Sequence, residues 1–232
     1  MDQFSYRIGN KDVLIYRSIF APVKSNMFVI ITGKEAVVFD PNEDEKLLTL
    51  FEERNIQKVH ILLTHEHYDH TSGVNWLQDH TGADLYCQSD CAKVIATERG
   101  NNPALIALVL ASEDKQDGGH RYQDFMSLFQ PYTLRADNTF DKEDTFTIGD
   151  LSFKVTSTPG HCHGSACYIL NDDMVFTGDT LLQNDPVIIR FAESRKNIYE
   201  QIALPYLQSL KKTMIVMPGH GNPFVLSETN NI

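Results

Sequence analysis

The sequence predicts a layered α/β fold with mostly local strand pairing. Short strand-like runs of apolar residues dominate both ends of the chain, and amphipathic helices separate some of them. This order of strands followed by a helix occurs twice, on either side of a helical stretch around residues 100–130. No glycine-rich phosphate loop follows the early strands, which argues against a doubly wound dinucleotide-binding fold. At 232 residues, we expect a single domain that spans 1–232.

The first ninety residues alternate between strands and helices. Gly33-Lys34 marks a tight turn between two strands, and Asp40-Pro41-Asn42 ends the second of them. Residues 59–64 are almost wholly apolar, as expected for a strand that is covered on both faces. The predicted elements are strands at 13–20, 27–32, 36–40, 59–64 and 84–87, and helices at 43–54 and 73–80.

The middle of the chain departs from this strand pattern. Residues 104–111 and 122–129 are predicted to be helical, with Gly118-Gly119 between them. We expect them to form an insertion that covers the site. The polar residues 120–122 at the break could contact substrate, although an exposed turn is the favoured interpretation. Strands then resume at 145–148, 151–157, 166–170, 174–176 and 213–217, with a helix at 198–210 that contains Pro205.

Composition and charge narrow the range of partners. The formal net charge of −11 argues against a nucleic-acid partner, because phosphate binding needs a basic surface. No apolar run is long enough for a membrane helix, and no secretory signal is visible at the N-terminus. A cytoplasmic protein that acts on a small-molecule substrate is therefore expected. Its oligomeric state stays open, with a homodimer as one option.

The cysteine pattern matches no zinc motif or redox pair. We interpret the four cysteines as reduced thiols. Cys87, Cys91 and Cys167 are expected to be small buried residues. Cys162 lies between His161 and His163, so it is either a softer metal ligand or the neighbour of one.

The strongest chemical signal is the run at residues 64–70 (THEHYDH), directly after an apolar strand. His65, His67, Asp69 and His70 fall within six residues, and imidazole with carboxylate suits zinc, manganese or iron. The spacing differs from the helical arrangement in which two histidines lie four apart beside a glutamate base. We expect these ligands on a loop that can aim them at two neighbouring metal positions.

Three later segments share one arrangement: a short apolar strand, a glycine and then one potential ligand. The potential ligands are His161, Asp179 and His220. Glycine lets the backbone turn tightly, so that the next side chain can point back across the strand ends. Because strand ends at one edge of a sheet converge, we expect these side chains to lie near the 64–70 run.

Further motif residues surround these ligands. They are Asn26, Asp40 and the segments 158–161 (TPGH), 176–180 (FTGDT) and 218–221 (PGHG). With the 64–70 run, they make the chain resemble the metallo-β-lactamase-fold hydrolase superfamily over nearly its whole length. Within it, the chain is most similar to the glyoxalase II-like, or hydroxyacylglutathione hydrolase-like, branch. The resemblance implies a four-layer αββα sandwich with a metal site at one edge, between the two sheets.

The resemblance also implies a role for each ligand. Two divalent ions are expected, with zinc favoured and iron or manganese as options. A hydroxide shared by both ions would cleave a small ester, thioester or lactone. Asp69 is the candidate catalytic residue that steers the water or passes a proton to the leaving group. The expected ligands are His65, His67 and His161 for one ion, Asp69, His70 and His220 for the other, and Asp179 as the bridge.

Several alternatives remain open at this stage. Asp179 stands where true metallo-β-lactamases often have a cysteine, which argues against antibiotic hydrolysis. Residues 181–187 lack the glycine and arginine that many glyoxalase II-like members carry there, and Arg190 comes only later. The alternatives are a phosphodiesterase or nuclease of the same fold, a mono-iron sulfur dioxygenase and a non-catalytic binding protein. We expect Asp40 to orient a histidine ligand. His60 is expected to be buried or at a sheet edge, and His80 to end a helix. For His163, contact with substrate is a minor option.

Overall fold

The computed structural model describes residues 1–8, 11–189 and 194–232, so Arg190 lies outside the described residues. Within that part, two β-sheets are formed, with the strand orders β1-β2-β3-β4-β5-β6-β7 and β13-β12-β11-β10-β9-β8. The strands are β1 (Asp2–Ile8), β2 (Lys11–Phe20), β3 (Ser25–Thr32), β4 (Glu35–Phe39), β5 (Lys58–Leu62), β6 (Asp84–Gln88), β7 (Asn138–Phe140), β8 (Glu143–Ile148), β9 (Leu151–Ser157), β10 (Ala166–Leu170), β11 (Met174–Gly178), β12 (Ile215–Pro218) and β13 (Phe224–Val225).

Helices cover the outer face of each sheet. Helix α1 (Glu45–Glu53) buries its predicted apolar face of Leu47, Leu50 and Phe51 against the first sheet, together with residues of α3 (Val74–Thr81) and α4 (Ser89–Ile95). Tyr199 and Leu207 cover the second sheet. The helices are α1 (Glu45–Glu53), α2 (Tyr68–Thr71), α3 (Val74–Thr81), α4 (Ser89–Ile95), α5 (Ala104–Asp117), α6 (Arg121–Leu128), α7 (Lys196–Ile198) and α8 (Leu204–Ser209), with a π-helical turn at Tyr199–Ala203 and a 3-10 turn at Leu226–Glu228.

The main core lies between the two sheets. It contains inward-facing side chains from both sheets, such as Ile30 and Phe39 from the first and Phe153 and Tyr168 from the second. The rings of Phe39 and Phe176 stack across the interface, with centroids 3.8 Å apart. The predicted αββα sandwich is thereby confirmed, with an apolar core that joins the sheets near the carboxyl ends of β4 and β11.

Strand direction places one set of loops at a single edge of the sandwich. β4 and β5 run parallel in the first sheet. In the second sheet, β11 and β12 run parallel, and β9 shares their direction because β10 is antiparallel to both β9 and β11. The loops that follow these strands carry the motif residues. Ala166 donates its N–H to the carbonyl of Thr64 at 2.8 Å, which holds the two sheets together at this edge.

The helical insertion is confirmed as α5 and α6, which pack against each other. Their buried residues Ile106, Leu110 and Phe125 form a separate apolar cluster with Phe20 and Tyr68. Tyr68 belongs to the 64–70 run, so the insertion lies directly against the segment that carries the predicted ligands. Whether it closes over substrate stays a prediction.

The structure corrects several details of the prediction. Asp69 and His70 lie on the single-turn helix α2 rather than on a loop. The helix predicted at 198–210 contains a π-helical turn just before Pro205, which has no N–H to donate to the preceding turn. β1, β7, β13 and α4 were missed. β7 and β13 have only three and two residues, too few for a clear alternation of apolar and polar positions.

No helix within the described ranges is both long and apolar enough to cross a membrane.

Candidate metal centre

The first group of predicted ligands is a cluster of three buried histidines. His65 and His67 come from the loop after β5, and His161 comes from the loop after β9. His67 Nδ1 lies 3.2 Å from His65 Nε2 and 2.9 Å from His161 Nε2. All three residues offer a ligand atom within 4.8 Å of the other two. The three rings therefore point their nitrogens at one small volume, as a bound cation requires.

Burial keeps two of these histidines neutral. Burial, followed by the nearby His70 and His67, lowers the pKa of His65 well below its usual value. Burial, followed by His67, lowers the pKa of His161 to about 4. A neutral imidazole has a free lone pair, and this is the form that binds a metal ion.

Hydrogen bonds on the far side of the His65 and His161 rings fix which nitrogen of each faces the centre. His65 Nδ1 donates to the Thr64 hydroxyl at 3.0 Å, and that hydroxyl donates to Asp40 Oδ2 at 2.6 Å. His161 Nδ1 donates to the Ile188 carbonyl at 2.9 Å. Partners of this kind set the tautomer and the ring orientation of metal-binding histidines.

The second group combines one carboxylate with two imidazoles. Asp69 Oδ2 lies 3.3 Å from His70 Nε2 and 3.4 Å from His220 Nε2, and all three residues offer ligand atoms within 4.8 Å of one another. Nδ1 of His70 donates to Asp40 Oδ2 at 2.9 Å, and Nδ1 of His220 donates to the Val23 carbonyl at 3.1 Å. Both Nε2 atoms are thereby aimed at Asp69.

Asp179 lies between the two groups. Its Oδ2 is 3.6 Å from His161 Nε2 and 3.5 Å from His220 Nε2, and its Oδ1 is 3.5 Å from His70 Nε2. Two buried atoms at this junction, Asp179 Oδ1 and His70 Nε2, make no hydrogen bond to any described residue. Orphaned buried polar atoms of this kind are costly in a folded protein. Nitrogen and oxygen atoms in these positions are a suitable donor set for divalent cations.

The charged side chains of the second group and of Asp179 balance one another. Burial alone would raise the pKa of Asp69 and Asp179, but the neighbouring histidines outweigh it and hold both values well below the usual range. Burial would likewise lower the pKa of His70 and His220. The carboxylates around them outweigh it, and raise the value for His220 to about 10 and that for His70 well above the usual one.

A pH dependence of metal binding follows from these shifts. A divalent ion has to displace the protons of His70 and His220, because both are protonated near neutral pH in the metal-free protein. We therefore expect the apparent affinity to increase as the pH rises from about 6.5 to about 8.5, with protons released on binding. Chelator competition at both pH values, with a pH indicator in weak buffer, checks this. Equal affinity at both values without proton release would contradict it.

Asp40 orients the centre rather than completing it. Its carboxylate lies close enough to His65 and His70 to form a third possible ligand group. However, Oδ1 already accepts the Thr64 N–H at 2.7 Å, and Oδ2 accepts from both the Thr64 hydroxyl and His70. Asp40 also adopts a left-handed backbone conformation with φ of 49°. Strained backbone at a position with this many polar contacts is typical of a functional site.

Two residues from the first sheet hold the loop that carries His220. The side-chain amide of Asn26 donates to the Pro218 and Gly221 carbonyls at 3.0 and 2.9 Å. Buried Arg17 donates to the Gly221 carbonyl at 3.1 Å and is paired with Asp2. Asn26 was singled out by its motif, whereas nothing in the sequence around Arg17 points to this contact.

Glycines at two ligand positions leave room that a larger residue would fill. A Cβ atom on Gly178 would overlap the Thr64 hydroxyl, and φ at this glycine is 49°. A Cβ atom on Gly219 would overlap Asp179 Oδ1 and lie 2.9 Å from His70 Cε1. Both glycines therefore keep the space at the junction of the two ligand groups open.

Substitution of Gly219 by alanine is expected to disrupt metal binding more than folding. The added methyl group would push the Asp179 carboxylate away from both ligand groups. We expect metal affinity to fall by about ten- to a hundredfold, as for other changes that displace a ligand. Chelator competition, with thermal unfolding as the folding control, measures this. Gly33→Ala is the matched control, since a Cβ atom there also meets nothing within 4 Å and the turn between β3 and β4 carries no proposed ligand, although its φ of 59° carries some strain. Equal affinities in the parent and Gly219→Ala proteins would contradict the expectation.

The structure also gives the contacts and burial of the other polar residues and cysteines that were discussed from the sequence. The Arg121 guanidinium binds Asp114 and Asp117 within the insertion, at 2.8 and 2.6 Å, which fits the exposed-turn interpretation. His60 is half-buried on β5 and bonds Glu35 at 2.8 Å. His163 is exposed, and all four cysteines are buried and free. Within the described part, no cysteine joins any group of potential metal ligands, so Cys162 is a neighbour of the centre.

The fold and this site define a metal-binding protein of the αββα class. A family model described as the metallo-beta-lactamase superfamily matches residues 21–220. The chain therefore belongs to the metallo-beta-lactamase superfamily, as its motifs indicated.

Three relatives illustrate the range of similar proteins. The crystal structure of BLEG-1 B3 metallo-beta-lactamase is 26% identical, with a TM-score of 0.73 over 92% of this chain and 95% of that one. TTHA1623, solved in a di-iron-bound form, shares the fold with a TM-score of 0.70 at 23% identity, over 94% of this chain and all of that one. Hydroxyacylglutathione hydrolase of Hydrogenovibrio crunogenus is 28% identical over 148 residues, which is 64% of this chain and 40% of that protein.

Proposed function

We propose that this chain is a hydrolase that uses two divalent metal ions to cleave a small ester, thioester or lactone. One observation carries the proposal. Two separate groups of potential ligands lie on either side of Asp179, and each of its carboxylate oxygens faces at least one of them. A carboxylate between two such groups is the arrangement expected of a bridging ligand in a two-metal site.

The proposed ligands divide between two metal positions in the way that the resemblance to the superfamily implies. His65, His67 and His161 would hold the first ion, and Asp69, His70 and His220 the second, with Asp179 shared. When bound, such ions lower the pKa of a coordinated water towards neutrality and polarise the oxygen of the bond to be cleaved. The protein's own contribution is to orient four of the histidines, through Asp40, Thr64 and the Val23 and Ile188 carbonyls, and to hold the His220 loop through Asn26.

Asp69 is the proposed proton handler. Its side chain is 9% exposed, so it sits at the inner surface of the centre rather than in bulk water. The histidines beside it hold its pKa well below the usual value, despite the opposing effect of burial, and it is therefore an ionised acceptor at neutral pH. A carboxylate in this position can orient an attacking water and pass a proton to the leaving group.

Zinc is the proposed native metal. Five imidazoles and two carboxylates suit zinc, and the mixed nitrogen and oxygen donors would also accept iron or manganese. The di-iron form of TTHA1623, a neighbour in fold, is the reason to test iron alongside zinc.

The similarity to a hydroxyacylglutathione hydrolase supports a thioester as the first substrate to test. We propose a small-molecule substrate rather than a nucleic acid, because the net charge of −11 disfavours a polyanion. We also propose a cytoplasmic location, and the oligomeric state stays open, with a homodimer as one option.

A substrate panel on protein of measured metal content tests this function. Thioester, lactone, carboxylic ester, β-lactam and phosphodiester substrates would be assayed in parallel, together with oxygen consumption on glutathione persulfide. We expect metal-dependent turnover of one of the first three classes. Turnover confined to phosphodiesters, or oxygen uptake with a single bound iron, would contradict the proposal and favour one of the alternative activities.

A further inference from the structure

Glu66 lies between two of the histidines of the first ligand group but does not face the centre. Its side chain is buried, with the residue only 3% exposed. Oε2 accepts a hydrogen bond from the Cys162 thiol at 3.0 Å, and Oε1 accepts the Gly164 N–H at 3.3 Å. Both donors belong to the loop after β9, which also carries His161. Glu66 therefore connects the two loops that supply the first ligand group.

The thiol of Cys162 is held on its other side as well. Its Sγ lies 3.1 Å from the Ser165 hydroxyl, which in turn accepts the Cys162 N–H at 3.3 Å. Cys162 is completely buried, and its sulfur contacts Glu66 and Ser165 rather than the metal-facing nitrogens.

The buried contact between the Glu66 carboxylate and the Cys162 thiol is energetically costly. A buried carboxylate is costly unless it is well paired, and a thiol is a weak donor. Across the described ranges, Glu66 takes part in no ion pair with Lys, Arg or His. Gly164 adds a further constraint, because a Cβ atom there would lie 2.5 Å from Cys91 Cα on α4. The loop is thus pressed against α4 on one side and tied to Glu66 on the other.

We propose that Glu66 and Cys162 form a clasp that positions His161 relative to His65 and His67, and thereby sets the metal affinity of the first ligand group. The clasp rests on the proposed two-metal function, since it acts on one of the two metal positions. Neither residue is a ligand. Both act through the loops that they join, as outer partners of metal ligands commonly do.

Two substitutions of Cys162 separate this role from simple packing. Cys162→Ala removes the hydrogen-bond donor. Cys162→Ser replaces the thiol by a hydroxyl of nearly the same size, which can still donate to Glu66. Cys87→Ala is the matched control, because it removes an equally buried thiol from β6. Zinc affinities of the two positions would be measured by competition with a chromophoric chelator, and cobalt spectra would report the ligand field. Hydrogen exchange of residues 162–165 in metal-free protein would report the loop itself.

We expect Cys162→Ala to weaken the binding of one of the two zinc ions by about ten- to a hundredfold. It should also change the cobalt spectrum and speed amide hydrogen exchange in residues 162–165. Cys162→Ser and Cys87→Ala should stay within about threefold of the parent affinity. Glu66→Gln, which keeps the side-chain size, should weaken the binding of the same zinc ion. It replaces Cys162→Ala as the test if that variant does not fold.

Two results would overturn the clasp and leave the hydrolase proposal standing. They are parental affinity for both ions in folded Cys162→Ala, and a loss in Cys162→Ser as large as that in Cys162→Ala. A parent protein that binds no divalent ion would instead overturn the proposed function, and with it any effect of the clasp on affinity. The metal content of the parent protein therefore distinguishes the two failures.

Discussion

Replacing Asp179 by alanine is expected to lower hydrolytic activity by about a thousandfold or more. Asp179 faces both ligand groups through His70, His161 and His220, at 3.5–3.6 Å. In the proposed two-metal centre, loss of this carboxylate would remove the ligand that both ions share and, with it, their joint activation of water. A metal centre supplies several kcal/mol of transition-state stabilisation, and each 1.4 kcal/mol corresponds to about a factor of ten in rate.

The measurement is kcat/KM together with metal stoichiometry by elemental analysis. Asp84→Ala is the control, since Asp84 is a half-exposed carboxylate on β6 that pairs with Lys58. We expect Asp179→Ala to fold but to retain fewer than two ions, while Asp84→Ala keeps parental activity. If Asp179→Ala binds two ions and retains parental turnover, Asp179 is not the bridge.

The second large effect is expected from Asp69→Asn. The amide keeps the shape of the carboxylate but cannot accept a proton, so activity should fall by about a hundred- to ten-thousandfold. The backbone support of α2 should be kept, because the Ser25 hydroxyl bonds the backbone carbonyl of Asp69 and not its side chain. The assay has to be run on protein shown to hold the same metal content as the parent, since Asp69 is also a proposed ligand.

Excess metal separates the two roles of Asp69. A loss of activity that comes only from a missing ligand should be restored by excess metal, whereas a loss that comes from the missing proton acceptor should persist in metal-loaded protein. Asp84→Asn, which changes a carboxylate outside the centre, controls for the altered net charge. Near-parental turnover in metal-loaded Asp69→Asn would exclude Asp69 as the proton handler.

Much of the fold could be predicted from the sequence because its signals are local. The apolar strand before Thr64, the alternation in β9 and the apolar face of α1 each correspond to an element that the structure contains. The missed elements are short, at a sheet edge or determined by contacts distant in sequence. β13, for example, has two residues, and it pairs with β12 only because the chain folds back on itself.

The site could be predicted in its composition but not in its supports. Glycine followed by a ligand at three strand ends indicated His161, Asp179 and His220, and the structure brings all three to the 64–70 run. The partners that orient them carry no such pattern. The Ile188 carbonyl that holds His161 belongs to the backbone, and any residue there could provide it.

The side-chain contacts that support the site could not be predicted from the sequence either. Arg17 reaches the Gly221 carbonyl across 204 positions, and Glu66 reaches Cys162 across 96. Such pairs depend on how the two sheets meet, and a single sequence contains no local signal for them. Cys162 was noticed because of its neighbours, but its interpretation as a ligand or a neighbour required the position of its sulfur.

The central claim is that activity depends on two metal ions held together by Asp179. Its most direct test is a titration of metal-free protein with zinc, followed by activity and by calorimetry in the same samples. We predict no hydrolysis without metal, full activity only near two equivalents per chain and renewed loss on chelation. Full activity in protein that elemental analysis shows to be metal-free, or saturation at one equivalent, would contradict the claim.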